Sequence, residues 1–139
     1  MKARIKWVKD AMFVGESDSG HAVVMDGPAD GGGHNLGIRP MEMVLIGMGG
    51  CTAYDVVHIL KKSRQDIEDC SVEIEAQRAD SVPKVFTHIH IHFIVRGNGL
   101  TAKTVQRAVD LSADKYCSAS IMLGKTARIT HDFEIIQRD

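Results

Sequence analysis

Apolar and polar residues alternate in six stretches of the chain, which predicts six β-strands, because successive side chains of a strand point to opposite faces of a sheet. The first three stretches are short and closely spaced, with a turn at Ser17–Gly20, so we expect them to form an antiparallel meander. The predicted strands are Lys2–Val8, Met12–Glu16, His21–Asp26, Cys70–Arg78, Val85–Arg96 and Lys125–Gln137.

A long apolar stretch, Met43–Leu60, interrupts this alternation and predicts one central helix. Pro40 suits the first position of a helix, and Glu42 suits the positive end of the helix dipole. Basic residues follow Leu60 at the opposite end. We therefore predict a helix from Pro40 to Ser63. A helix that is apolar on all sides must be buried, either in a protein core or in lipid.

The composition of this helix favours a protein core. A membrane span needs roughly 20 apolar residues. This stretch contains Gly47, Gly49 and Gly50, which weaken a helix, and Asp55, which is costly at the centre of a bilayer. The rest of the chain consists of amphipathic elements that need something to pack against. We expect no membrane insertion.

The segment Gly27–Gly37 connects the meander to the central helix. Its three consecutive glycines resemble a phosphate cradle, but neither a Gly-Lys-Ser/Thr sequence nor the G-x-G-x-x-G pattern occurs there. We interpret it as a flexible connector. With 139 residues the chain should form a single domain. Its parts are the meander at 1–26, the glycine-rich connector at 27–39, and the helices, hairpin and last strand at 40–139.

The charge balance excludes several classes of partner. The 17 Lys and Arg residues nearly cancel the 18 Asp and Glu residues, so no nucleic acid or charged membrane surface is expected as a partner. The first residues, Met1–Trp7, lack the apolar core of a signal peptide. We expect a cytoplasmic protein.

The three cysteines, Cys51, Cys70 and Cys117, are too few for a secreted disulfide framework, and none forms a C-x-x-C pair. We therefore expect no structural metal and no cofactor. A cysteine in an apolar helix is often a buried packing residue, yet Cys51 is also a candidate reactive thiol. Asp55, four residues later, either repels a thiolate on Cys51 or belongs to a buried polar network.

A second thiol precedes a predicted short helix. Thr101 should cap an amphipathic helix that runs to about Tyr116, and Ser118 should cap a short helix that ends at Leu123. Cys117 then lies just before a helix N-terminus and close to Lys115. Both features lower the pKa of a thiol, which makes Cys117 a second candidate site residue.

Three histidines, His88, His90 and His92, share one face of a predicted strand. If the hairpin is symmetric, Glu75 lies near His90 and Glu73 near His92. Such a set offers ligands for a transition metal. However, residues two apart on one face of a strand are about 7 Å apart, which is long for one ion. We favour a polar sheet face with cross-strand His–Glu pairs.

The whole chain resembles the OsmC/Ohr family of thiol peroxidases and is similar to its YhfA-like branch. The resemblance rests on Pro40–Leu45 leading to Gly49-Gly50-Cys51, together with Lys115–Ser118 downstream. It implies an α+β, OsmC-like fold in which antiparallel sheets wrap around a long central helix. It also implies an intertwined homodimer whose two active sites form at the subunit interface.

The resemblance further implies a reaction. Cys51 would be oxidised by an organic hydroperoxide to a sulfenic acid, Cys117 would resolve it to a disulfide, and an external dithiol would reduce that disulfide. Cys70 would have no redox role. These expectations describe a cytoplasmic antioxidant enzyme of the stress response.

The chain departs from the family pattern at three positions. The family glutamate directly follows the proline, where this chain has Met41, and Glu42 is displaced by one residue, about 100° around a helix. The activating arginine has no counterpart in Phe13–Gly20, so Arg39 or an arginine of the partner chain would take its place. Ser118 replaces a proline. The departures keep a second hypothesis open: a non-enzymatic protein that binds a small apolar ligand or senses redox state.

Overall fold

The computed structural model describes residues Met1–Arg138 and confirms the α+β fold class. The chain divides after Ile46 into two compact units. The prediction of a single domain over 1–139 stays a prediction. The elements are β1 Ala3–Lys9, β2 Met12–Ser17, β3 Ala22–Met25, α1 Pro40–Lys62, β4 Asp66–Arg78, β5 Phe86–Asn98, α2 Ala102–Leu111, α3 Ser118–Leu123 and β6 Arg128–Gln137.

The first unit contains the predicted meander, a three-stranded antiparallel sheet in the order β1-β2-β3. The sequence predicted a half-buried β1, yet every residue of β1 is exposed in the single chain. Ile5 and Trp7, on its apolar face, are 60% and 62% exposed. The alternating pattern therefore defines an apolar face that the isolated chain does not cover.

The glycine-rich loop is held by the buried carboxylate of Asp26. It accepts backbone N–H groups of Gly27 at 2.7 Å and of His34 and Leu36 at 3.1 Å. Burial alone would raise the pKa of Asp26, but the N–H donors of Leu36, Gly27 and His34 outweigh it and hold this pKa below its usual value. The loop is thus more ordered than the flexible connector that the sequence predicted.

Helix α1 runs from Pro40 to Lys62 and ends within one residue of the predicted bounds. In the second unit it buries a stripe with a four-residue period, Met48, Thr52, Val56 and Leu60. The sequence predicted a helix buried on all sides. Only 28% of its most apolar 18-residue window is buried, and this window is long and apolar enough to cross a membrane, a test that core helices also pass.

The second unit is built on a three-stranded sheet in the order β4-β5-β6. The β4–β5 hairpin is antiparallel, and its register pairs Glu75 with His90 and Glu73 with His92, as predicted. The resemblance implied antiparallel sheets, but this sheet is mixed, because the helices between β5 and β6 return the chain so that β6 runs parallel to β5. The inward face of β5 is the core of this unit, formed by Ile89, Ile91, Phe93 and Val95.

The connecting helices differ slightly from the prediction. Thr101 caps α2 as expected, its side chain accepting the N–H of Thr104. After Leu111 the helix widens into a π-helical turn, Ser112–Tyr116. The cap of α3 is Cys117, where the sequence predicted Ser118, because the sulfur of Cys117 accepts the N–H of Ser120.

Candidate functional site

Two of the three cysteines meet in the second unit, together with a carboxylate. Ligand atoms of Cys51, Asp55 and Cys117 all lie within 4.8 Å of one another. Cys51 and Asp55 are half-buried, and Cys117 is fully buried. All three cysteines carry free thiols. We call Cys51, Asp55 and Cys117 the thiol–carboxylate cluster.

Two elements of secondary structure position this cluster. Cys51 and Asp55 are four residues apart on α1 and therefore project from the same face of the helix. Cys117 directly follows the π-helical turn, whose last hydrogen bond joins the N–H of Cys117 to the carbonyl oxygen of Ser112 at 2.8 Å. Such π-helical turns often occur at functional sites. The extra residue of this turn sets the point at which the chain leaves α2 and presents Cys117 to α1.

The surroundings of Cys117 keep its thiol protonated. Burial raises the pKa of Cys117, and the neighbouring Cys51 raises it further. The N–H and O–H of Ser120 donate to its sulfur at 3.4 and 3.1 Å and act in the opposite direction, but they do not reverse the shift. The expectation of a lowered pKa is therefore wrong. Lys115 does not contribute, because its ammonium group lies over the ring of Tyr116, 5.4 Å from the centroid.

Asp55 belongs to a network of hydrogen bonds, which is one of the two alternatives that the sequence left open for this residue. Ser112 Oγ lies 3.2 Å from Asp55 Oδ2 and 2.8 Å from Thr52 Oγ1. An ionised carboxylate can only accept, so Ser112 donates to Asp55 and accepts the proton of Thr52. Thr52 and Ser112 are both buried. The network fixes the Asp55 side chain next to the thiols.

Sequence reasoning missed Thr52, Ser112 and Ser120 as site residues. Ser112 was visible as a serine among the mostly apolar residues on one face of the predicted second helix, and Thr52 as the residue after Cys51. Each is a small polar residue in an otherwise apolar helix face. A hydroxyl on a buried helix face needs a hydrogen-bond partner, and this requirement is the signal that could have identified a polar site here.

A cavity of about 460 Å³ adjoins the cluster through Asp55. Charged and aromatic side chains line it, together with Ile59, Ser63 and Leu111. The polar lining consists of Asp55, His58, Lys62, Arg107 and Tyr116. A small molecule in this cavity would therefore lie near the thiols and face the side chains of Lys62 and Arg107.

Arg39 and Glu42, the other two candidates from the sequence, lie in the first unit. The guanidinium group of Arg39 donates to the carbonyl oxygens of Gly37 at 3.0 Å and Asp26 at 3.3 Å, and to Asn35 Oδ1 at 2.9 Å. It therefore stabilises the glycine-rich loop. Glu42 is exposed in the first turn of α1. Their predicted catalytic roles stay predictions.

Cys70 lies on β4, outside the thiol–carboxylate cluster. Burial and the neighbouring charge of Asp69 raise the pKa of its thiol to about 11. A thiol with this pKa is almost fully protonated at neutral pH and is a poor nucleophile.

The three histidines of β5 form a polar sheet face, as the sequence favoured. Their partners are on β6: His88 and His90 contact Thr130 Oγ1 at 2.9 and 2.8 Å, and His92 Nδ1 contacts Asp132 Oδ1 at 2.6 Å. The glutamates of β4 are neighbours in register but not the hydrogen-bond partners. Within residues 1–138, the group of ligands compact enough for one metal ion is the thiol–carboxylate cluster, not this face.

Comparison with known proteins agrees with this architecture. The family model of OsmC-like proteins matches residues 32–132. Protein YhfA of Escherichia coli K12 is 51% identical over 136 residues, which cover 98% of each chain. A crystal structure of a hypothetical protein from Aquifex aeolicus is 27% identical, with a TM-score of 0.87 over 99% of this chain and 97% of that one.

The organic hydroperoxide resistance protein OhrB of Bacillus subtilis shares the fold, with a TM-score of 0.64 over 96% of this chain and 98% of that one, at 16% identity. The extent of the family match and the identity to YhfA show that the chain belongs to the OsmC/Ohr family.

Proposed function

We propose that this protein is a thiol-dependent peroxidase that reduces organic hydroperoxides. The sulfur of Cys51 attacks the outer oxygen of the hydroperoxide, the O–O bond breaks, and the alcohol leaves with a proton. Cys51 becomes a sulfenic acid. The sulfur of Cys117 then attacks the Cys51 sulfur, a disulfide forms and water leaves. An external dithiol reduces the disulfide and restores both thiols.

The observation that carries this proposal is the proximity of Cys51 and Cys117, within 4.8 Å across 66 residues of sequence. Disulfide formation needs the two sulfurs to approach to about 2.05 Å. Side-chain rotation supplies most of a movement of this size. Cys51 is the half-buried thiol of the pair, so it is the one that a peroxide reaches, and the buried Cys117 suits the resolving role.

The cavity that shares Asp55 with the cluster is the proposed entrance for the substrate. Its volume of about 460 Å³ is in the range of small-molecule sites. Apolar side chains of Ile59 and Leu111 would contact the organic part of a hydroperoxide, and Lys62 and Arg107 would face its polar end.

The proposal includes a cytoplasmic homodimer with a role in the stress response. The support for a dimer lies in apolar surface that the single chain leaves uncovered, on β1 and on α1. Ile5, Trp7 and Tyr54 are 60%, 62% and 72% exposed. Interface active sites would let a partner arginine act on Cys51, while Arg39 and Glu42 remain candidates from within the chain.

The test adds one equivalent of cumene hydroperoxide to the reduced protein and measures intact mass within seconds. We expect loss of the two thiol hydrogens, with the link mapped to Cys51 and Cys117. Cys117→Ser should instead accumulate a sulfenic acid that dimedone traps, and Cys70→Ser should behave as the wild type. Three thiols that persist for minutes in the wild type would refute the proposal.

A second function, binding of a small ligand without catalysis or slow redox sensing, is favoured by one observation. Burial raises the pKa of Cys117, so little of it is thiolate at neutral pH and the resolving step is slowed. Under this alternative the same peroxide experiment yields oxidation over hours, and the rate of disulfide formation rises as pH increases toward the pKa of Cys117.

A further inference from the structure

The thiol–carboxylate cluster has the composition and size of a metal site. We propose that the reduced protein binds one Zn²⁺ per chain through Cys51 Sγ, Cys117 Sγ and a carboxylate oxygen of Asp55. The sequence predicted no metal at the cysteines. The proposal concerns the reduced thiols and does not depend on the peroxidase reaction.

The distances between the three ligand atoms fit a single metal ion. Zinc–sulfur bonds are near 2.3 Å and zinc–oxygen bonds near 2.0–2.2 Å, so two thiolates on one tetrahedral zinc lie roughly 3.7 Å apart. The three ligand atoms of the cluster already lie within 4.8 Å of one another. An ion at their centre requires shifts on the order of an ångström, which side-chain rotation provides.

The types of ligand select the metal. Two thiols and one carboxylate suit a borderline-soft cation such as Zn²⁺, whereas Mg²⁺ and Ca²⁺ prefer oxygen ligands alone. Three protein ligands leave the fourth position of a tetrahedral zinc for water or a small ligand. The cavity lined by Asp55 gives this fourth position an approach from solvent.

Hydrogen bonds outside the cluster hold its ligands in place. Ser112 donates a hydrogen bond to Asp55 and accepts one from Thr52. Because a carboxylate has two oxygens, Asp55 can accept the hydrogen bond of Ser112 and bind a metal ion at the same time. Ser120 donates twice to the sulfur of Cys117. Donors to a metal-bound carboxylate and thiolate are the usual support of such sites.

Charge provides the fourth argument. A deprotonated cluster places three negative charges within 4.8 Å, and like charges at this distance repel strongly in a partly buried site. A divalent cation at the centre converts this repulsion into attraction. Binding replaces the two thiol protons by one Zn²⁺, so two protons are released to solvent for each ion bound.

The experiment titrates the reduced protein with Co²⁺, a spectroscopic substitute for zinc, and then displaces the Co²⁺ with Zn²⁺. We expect one equivalent per chain, a thiolate-to-cobalt charge-transfer band and tetrahedral ligand-field bands. Asp55→Asn should raise the dissociation constant of Zn²⁺ at least about tenfold. Cys51→Ser should abolish the charge-transfer band or halve its intensity, and Cys70→Ser, the matched control, should leave binding unchanged.

Several outcomes would overturn the proposal: no charge-transfer band in the wild type, binding that persists unchanged in Cys51→Ser, or binding lost in His90→Ala, which would move the site to the histidine face. The wild-type spectrum decides the matter even if a variant fails to fold. A protein that forms the Cys51–Cys117 disulfide but shows no cobalt band supports the proposed function and refutes the zinc site. A protein that shows the cobalt band but does not form the Cys51–Cys117 disulfide supports the zinc site and refutes the proposed function.

Discussion

At the scale of single residues, the buried hydroxyl of Ser112 joins α1 to the π-helical turn. It lies between Thr52 and Asp55, and both contacts cross from one helix to another. A buried polar group that loses its partner costs about 1–3 kcal/mol, more than the bond contributed. The position of Asp55 beside the thiols therefore depends on one hydroxyl group.

This dependence is testable with Ser112→Ala. The substitution removes the donor to Asp55 and the acceptor of Thr52, so we expect a loss of about 1–3 kcal/mol in the free energy of unfolding, measured by urea titration of the reduced protein. Ser118→Ala, at an exposed position in the adjoining α3, is the matched control and should change stability by less than about 0.5 kcal/mol. Equal effects of the two substitutions would contradict the network.

Sequence patterns predicted this site only in part. The resemblance pointed to Cys51 and Cys117, and the helical spacing put Asp55 on the face of Cys51. The shift in the pKa of Cys117 was predicted in the wrong direction. The helix N-terminus that lowers a thiol pKa can be recognised from neighbouring residues, but the burial that raises it depends on packing between distant segments of the chain. Local pattern shows a capping donor but not the desolvation that outweighs it.

At the scale of elements, α1 has one buried stripe and one open face. Gly47 and Gly50 lie on the open face, and a Cβ atom added to either meets nothing within 4 Å in the single chain. Tyr54 and His58 continue this face and stack their rings, with centroids 6.1 Å apart. Glycines on an exposed helix face weaken the helix without benefit unless another backbone approaches closely.

The proposed homodimer predicts that Gly47→Ala and Gly50→Ala weaken dimerisation, although each substitution favours the helix itself. In a monomer each change should stabilise α1 by roughly 0.5–1 kcal/mol. If the helix of a second copy packs there, the new methyl groups collide with it, and sedimentation velocity should show at least tenfold weaker dimerisation.

Gly49→Ala is the matched control for this prediction. A Cβ at that position meets Ile74 Cδ1 at 3.0 Å within the same chain, so it changes the stability of the fold and leaves dimerisation unaffected. Stabilised Gly47→Ala and Gly50→Ala proteins with unchanged association would show that this face does not form the interface.

The elements themselves were largely predictable, since periodicity reports directly on local structure. The six strands and the central helix were predicted, although β4 begins at Asp66 instead of Cys70 and β6 at Arg128 instead of Lys125. The Glu–His register of the hairpin followed from its turn. The parallel pairing of β6 was not predicted, because strand order depends on where α2 and α3 return the chain. The exposure of β1 also differed, because alternation identifies an apolar face but not what covers it.

At the scale of the whole molecule, stability should depend on pH through the polar face of the second sheet. The hydrogen bond that His92 donates to Asp132 raises the pKa of His92, against the effect of its desolvation, and the nearby charges of Asp132, Glu134 and Glu73 raise it further. In return, the hydrogen bond with His92 holds the pKa of Asp132 below its usual value. The pair joins β5 to β6, the parallel strands that close the sheet.

The two shifts define a pH window. A raised histidine pKa stabilises the fold fully below the unfolded value of 6.5, and the effect is lost as pH rises through the folded pKa. A lowered aspartate pKa stabilises the fold above the unfolded value of 3.8, and the effect is lost as pH falls through the folded pKa. The charged pair therefore contributes most between about pH 4 and pH 6.5.

Urea unfolding of the wild type and Asp132→Asn at pH 5.5 and pH 8.5 tests this window. We expect the free energy of unfolding of the wild type to exceed that of Asp132→Asn by more at pH 5.5 than at pH 8.5, because the charged form of His92 is lost as pH rises through its raised pKa. Asp80→Asn removes the same charge from an exposed position in the hairpin loop and should show little difference at either pH. An effect of Asp132→Asn that is equal at both pH values would mean that the ion pair does not contribute, and that the residue acts through packing alone.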